Sequence, residues 1–90
     1  MTAGAEAAGQ PRLTLLTRAG CDLCDEMQEA LSQLSLELPL PHLVVQEVDA
    51  DPLLARRYAL DLPVLLLDGV MVCKHRLDKV ELRRLLRQRQ

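Results

Sequence analysis

Two four-residue apolar runs, Val64–Leu67 and Val70–Cys73, stand on either side of Asp68-Gly69. Each run has the length of a strand. A two-residue Asp-Gly link suits a type I′ turn, in which both central residues take positive φ. The segment is therefore expected as a β-hairpin, which commits the chain to a sheet with at least one antiparallel pair. Upstream, Leu13–Thr17 follows Pro11 and reads as a buried strand, and Leu43–Val48 reads as a second one after the Pro39–Pro41 loop. Between these two strands Leu23, Met27, Ala30, Leu31 and Leu34 recur at helical spacing, which predicts a helix from Cys21 to Leu34. Asp22, Asp25, Glu26 and Glu29 crowd its first turns, where acids suit the helix dipole.

Asp51-Pro52 opens another helix, with Asp as N-cap and Pro at the first helical position. It runs to Ala59 and is stopped by Leu60-Asp61-Leu62-Pro63. Asp78, followed three residues later by Glu81, is a variant of the capping box. The helix it opens continues to about Arg87, with Leu82, Leu85 and Leu86 facing inward. The order is β-α-β-α-β-β-α. The helix between the first two strands favours a parallel pair there, since a parallel connection needs a crossover. The expected class is α/β: a four-stranded mixed sheet with helices on both faces.

The core must be built almost entirely from leucine. The 90 residues include 21 Leu, 7 Val and 9 Ala, with no Ile, Phe or Trp, and Tyr58 as the only aromatic. That load fills one modest core and excludes a second domain or an aromatic platform for stacking RNA bases. Residues 1–11 are mostly Ala, Gly, Gln and Glu; they are expected as a disordered tail before one domain over residues 12–90. They lack the basic start and apolar centre of a signal peptide, and no apolar run approaches the length needed to span a bilayer. The net charge is −2 but uneven: residues 74–90 hold seven basic and two acidic side chains. A solvated basic helix end is the expected reading, with no nucleic-acid or membrane partner. Three cysteines are too few for a secreted disulfide scaffold, so a cytoplasmic monomer is expected.

Chemistry concentrates at Cys21-x-x-Cys24, placed at a strand-to-helix junction. A cysteine at a helix N-terminus feels the positive end of the dipole, which favours thiolate. The second lies about one turn on, near the stripe of Leu23, Met27 and Leu31, and is expected to be the more buried. Cys21 is then the attacking thiol and Cys24 the resolving one. Two other readings use the same thiols. Cys21, Cys24, Cys73 and His75 could supply four ligands to a metal or iron–sulfur centre, although Cys73 and His75 sit two apart on one strand face. Alternatively the thiols are inert packing residues, as Cys73 is expected to be, and the chain is a redox-silent interaction domain. Leu62-Pro63, directly before the third strand, reads by itself as an ordinary trans proline.

Taken together, Leu13-Thr14-Leu15-Leu16-Thr17-Arg18-Ala19-Gly20-Cys21-Asp22-Leu23-Cys24, Val48-Asp49 with Asp51-Pro52, Leu62-Pro63-Val64-Leu65 and Asp68-Gly69 resemble glutaredoxins of the thioredoxin-like fold. More closely, they are similar to the short bacterial glutaredoxin-like proteins, over about residues 12 to 88. The resemblance implies a thiol–disulfide oxidoreductase that reduces or exchanges protein or small-molecule disulfides. It implies no built-in cofactor, with glutathione or a thioredoxin-type reductase as electron source. It also implies that Pro63 is cis beside the cysteine pair and that the Leu62 backbone pairs with a bound peptide or glutathione. The strands would run second, first, third, fourth, with the third antiparallel to the first, bringing Cys73–His75 toward the active-site end. Arg18 and Lys74 join Leu62 and Pro63 as substrate-binding candidates. Two departures stand out. Asp22 and Leu23 replace the family's aromatic and proline, and Cys73-Lys74-His75-Arg76-Leu77-Asp78 stands where a Gly-Gly pair and an Asp form the glutathione groove. Glutathione is accordingly expected to bind poorly.

Overall fold

Leu13 and Leu15 leave the first strand on one side and Leu16 on the other, and the core divides along that alternation. The computed structural model describes residues 11–89; the tail expected over 1–11 lies, apart from Pro11, outside them. The elements are β1 (Arg12–Thr17), α1 (Asp22–Ser35), β2 (His42–Glu47), α2 (Pro52–Tyr58), β3 (Val64–Leu67), β4 (Val70–Lys74) and α3 (Lys79–Gln88). A short 3-10 turn, Val48–Ala50, follows β2. The sheet order is β2-β1-β3-β4. β1 and β2 are parallel, in register from Arg12↔His42 to Thr17↔Glu47, while β3 runs antiparallel to both β1 and β4. The β3–β4 register slips between Leu65 and Leu66, so β4 carries one extra residue, Val72.

On one face, Met27, Leu31 and Leu34 of α1 and Leu82 of α3 close over Leu13, Leu15, Leu65 and Leu67. On the other, Tyr58 of α2 packs with Leu16, Val48 and Val64. The expected strand end at Val48 is corrected by one residue. Val48 is fully buried but begins the 3-10 turn, its carbonyl accepting from the Asp51 N–H at 3.0 Å.

The caps behave as their residue types require. Asp51 accepts from the Leu53 N–H at 2.9 Å and opens α2; Asp78 accepts from the Glu81 N–H at 3.0 Å and opens α3. Glu81 itself is turned to Arg84, at 2.7 and 2.9 Å, so its carboxylate serves an ion pair. Asp68 and Gly69 have φ of 52° and 86°, the positive pair that a type I′ turn demands. Asp68 also fastens the turn to its neighbours. Its carboxylate accepts from the Arg12 N–H and from Arg89 Nε, both at 2.9 Å. Among the described residues no helix is long and apolar enough to cross a membrane.

Candidate active site

β1 delivers the chain from the core to a turn, Arg18–Gly20, and Gly20 takes the φ of +76° that the turn needs. Cys21 follows in extended conformation as the N-cap of α1. Its Sγ accepts a hydrogen bond from the Cys24 N–H at 3.1 Å, the role Ser or Asp usually plays at this position. Cys21 and Cys24 lie at disulfide distance with their Cα atoms 5.2 Å apart. Cys24 faces the core and is 2% exposed, whereas Cys21 is half-buried. The more accessible sulfur therefore sits at the helix end where unpaired N–H groups and the helix dipole stabilise negative charge.

At the same end of the sheet β3 begins and β4 ends. Leu16 pairs with Val64, so the residues leaving β1 and those entering β3 lie at the same end of the sheet. Leu62–Pro63 is cis and Pro63 is fully buried. The end of β4 is laced to this segment residue by residue. Lys74 Nζ lies 3.3 Å from Asp61, the His75 N–H donates to the Pro63 carbonyl at 2.8 Å, and His75 Nδ1 is 3.3 Å from the Leu62 carbonyl oxygen.

The two candidate cations are both engaged. Arg18 grips Asp49 through Nε and Nη2, each at 3.1 Å; this ties the turn before Cys21 to the chain leaving β2. Lys74 is taken by Asp61, and Arg76 lies 3.6 Å from Glu26.

Cys73 and His75 part company, which corrects the expectation that they share a strand face. β4 ends at Lys74, and His75 turns away with φ of +69°. Cys73 packs against the core beside α1 and α3, where burial pushes its thiol up from its ordinary value. The four-ligand set considered for a metal or iron–sulfur centre is not assembled. Among the described residues no group of three or more His, Cys, Asp or Glu side chains could hold a metal ion. Sequence reasoning had not connected Asp61 or Asp49 to the site, nor His75 to Leu62. The one available signal was the run of basic and titratable residues Lys74-His75-Arg76 directly after the apolar residues of the last strand.

The family model described as Glutaredoxin-like domain (DUF836) matches residues 12–87. An uncharacterized protein of Mycobacterium tuberculosis, Rv0508, is 40% identical over 65 residues, covering 67% of this chain. The chain spans 66% of the length of that relative. Among solved structures, the NMR structure of protein Ne2328 from Nitrosomonas europaea is similar at a TM-score of 0.75 and 28% identity, covering 84% of this chain and 91% of the other. Thioredoxin from Fasciola hepatica is similar at 0.58 and 19% identity, covering 99% and 94%, so the fold is thioredoxin-like.

Proposed function

The chain belongs to the Glutaredoxin-like domain (DUF836) family, and from that membership and its site we propose that it is a thiol–disulfide oxidoreductase acting on protein disulfides. The observation that carries the reading is the Cys21–Cys24 pair at the start of α1, with Cys21 Sγ receiving the Cys24 N–H and Cys24 buried behind it. In the proposed reaction the Cys21 thiolate attacks a substrate disulfide. One substrate thiolate leaves and a mixed disulfide forms. The Cys24 thiol, losing its proton, then attacks Cys21 Sγ. The second substrate thiol leaves and a Cys21–Cys24 disulfide remains, two electrons having passed to the substrate. Glutathione or a thioredoxin-type reductase restores the dithiol, and Leu62 and Pro63 form the wall along which the substrate chain lies.

Protein disulfides are favoured over glutathione mixed disulfides for a physical reason. The cations that could receive glutathione's carboxylates, Arg18 and Lys74, are already paired with Asp49 and Asp61, and His75 occupies ground that a glycine would leave open. The test is a Cys24→Ser variant incubated with insulin and, separately, with the mixed disulfide of glutathione and 2-mercaptoethanol. A stable adduct through Cys21 is expected with insulin, and much slower reaction with the glutathione compound. No adduct through Cys21 with either compound would overturn the oxidoreductase reading.

A further inference from the structure

His75 holds a backbone conformation that few residues other than glycine adopt readily. Its φ is +69°, and the Arg76 N–H closes back on the Lys74 carbonyl at 2.8 Å, a three-residue turn about His75 that is uncommon and strained. Such strain persists where the surroundings enforce it. Here the enforcing contacts are visible: the His75 N–H donates to the Pro63 carbonyl at 2.8 Å, and Lys74 is tethered to Asp61 at 3.3 Å. Together they swing the imidazole over the Leu62 peptide, with Nδ1 3.3 Å from the Leu62 oxygen. In a neutral ring Nδ1 can donate there only in the tautomer that carries its proton on Nδ1.

We propose that His75 is a positioning residue that caps the Leu62 carbonyl in the resting protein and competes for it with the main chain of an incoming substrate. The inference rests on the reading above, in which the substrate lies along Leu62. An extended peptide offers backbone N–H groups as donors, so it replaces the imidazole hydrogen bond with an equivalent one and pays only for displacing the ring. The cap keeps the acceptor satisfied when the site is empty. Ligands that bring a strand-like donor to Leu62 bear the cost of displacing the ring, whereas those that approach Cys21 by sulfur alone leave the cap in place.

Two substitutions separate the ring from the backbone. His75→Gly removes the ring and relaxes the positive φ at no steric cost; His75→Ala removes the ring but keeps the backbone strained. Both leave the N–H that bonds Pro63. The probe is a disulfide-linked dimer of a cysteine-containing decapeptide, which oxidises the Cys21–Cys24 dithiol in a single turnover and is itself reduced to two peptide thiols. A neutral hydrogen bond contributes little net free energy, so both variants should lower the half-saturating peptide concentration about three- to tenfold, with a smaller effect on the limiting rate. An unchanged half-saturating concentration, or a change with Gly alone, overturns the proposal. A measurement free of redox chemistry accompanies it. Ring ¹⁵N shifts of neutral His75 should report the proton on Nδ1; a proton on Nε2 overturns the cap. If the peptide dimer fails to oxidise the wild-type dithiol, the oxidoreductase reading fails, and the ring tautomer still decides the cap.

Discussion

The Cys24 amide N–H and the Cys21 sulfur face each other at 3.1 Å across the first turn of α1. A hydrogen bond to the charged form of a group favours that form, and the helix dipole acts in the same direction. Cys73, half-buried among apolar side chains, experiences the opposite influence. In the fully reduced protein at neutral pH, iodoacetamide should therefore modify Cys21 first, with Cys24 and Cys73 following slowly. Mass mapping of time points checks the order; Cys73 labelled as fast as Cys21 would contradict it.

Asp68 makes stability depend on acid. Hydrogen bonds from Arg89 and from the Arg12 N–H hold its carboxyl below the ordinary value of 3.8. A lowered folded-state pKa contributes stability that is fully present above the unfolded value and lost as the pH falls through the folded one. Asp68→Asn keeps the turn residue type but removes the charge. With both partners partly exposed, the loss should be small, about 0.2–1 kcal/mol at pH 7. The gap between wild type and variant should close below about pH 4. Urea unfolding at several pH values measures this, and a gap that persists at pH 2 would refute it.

Leu82 is the only fully buried residue among the described residues of α3. Leu82→Ala should cost about 2–5 kcal/mol and loosen the helix that covers Cys73. Denaturant midpoints and the rate of Cys73 alkylation should shift together.

Asp51 opens a helix of only seven residues, so its cap is a large share of what fixes α2. Asp51→Ala should destabilise by about 0.5–2 kcal/mol. The environment of Tyr58, buried where α2 meets the sheet, should change with it, readable as altered Tyr fluorescence.

Much of this was legible because local rules agree with the global arrangement. Asp68-Gly69, Asp51-Pro52 and Asp78 each carry a conformational preference that the fold satisfies directly. The Cys21 position was legible because a helix start can be read from its acids and its apolar spacing. The cis state of Pro63 was not encoded in Leu62-Pro63 itself; only the family resemblance pointed to it. The pairings Arg18–Asp49 and Lys74–Asp61 were hidden for another reason. They join residues 31 and 13 positions apart whose meeting depends on loop paths, and charge type alone does not choose among several acids. The path of His75 was hidden because a strand's last residue is set by where its partner ends.

The additional residue at Val72 sets the parity of everything after it. Under strict alternation Val72 and Lys74 would share a side, and Cys73 would lie opposite, beneath α2. Instead Val72 and Cys73 both pack against the α1–α3 face, and Lys74, paired opposite Val64, emerges on the other side within reach of Asp61. Running β4 in unbroken alternation through Val72, with no residue removed, would thus exchange a thiol for an ammonium on the α1–α3 side and leave the histidine cap out of phase with Leu62.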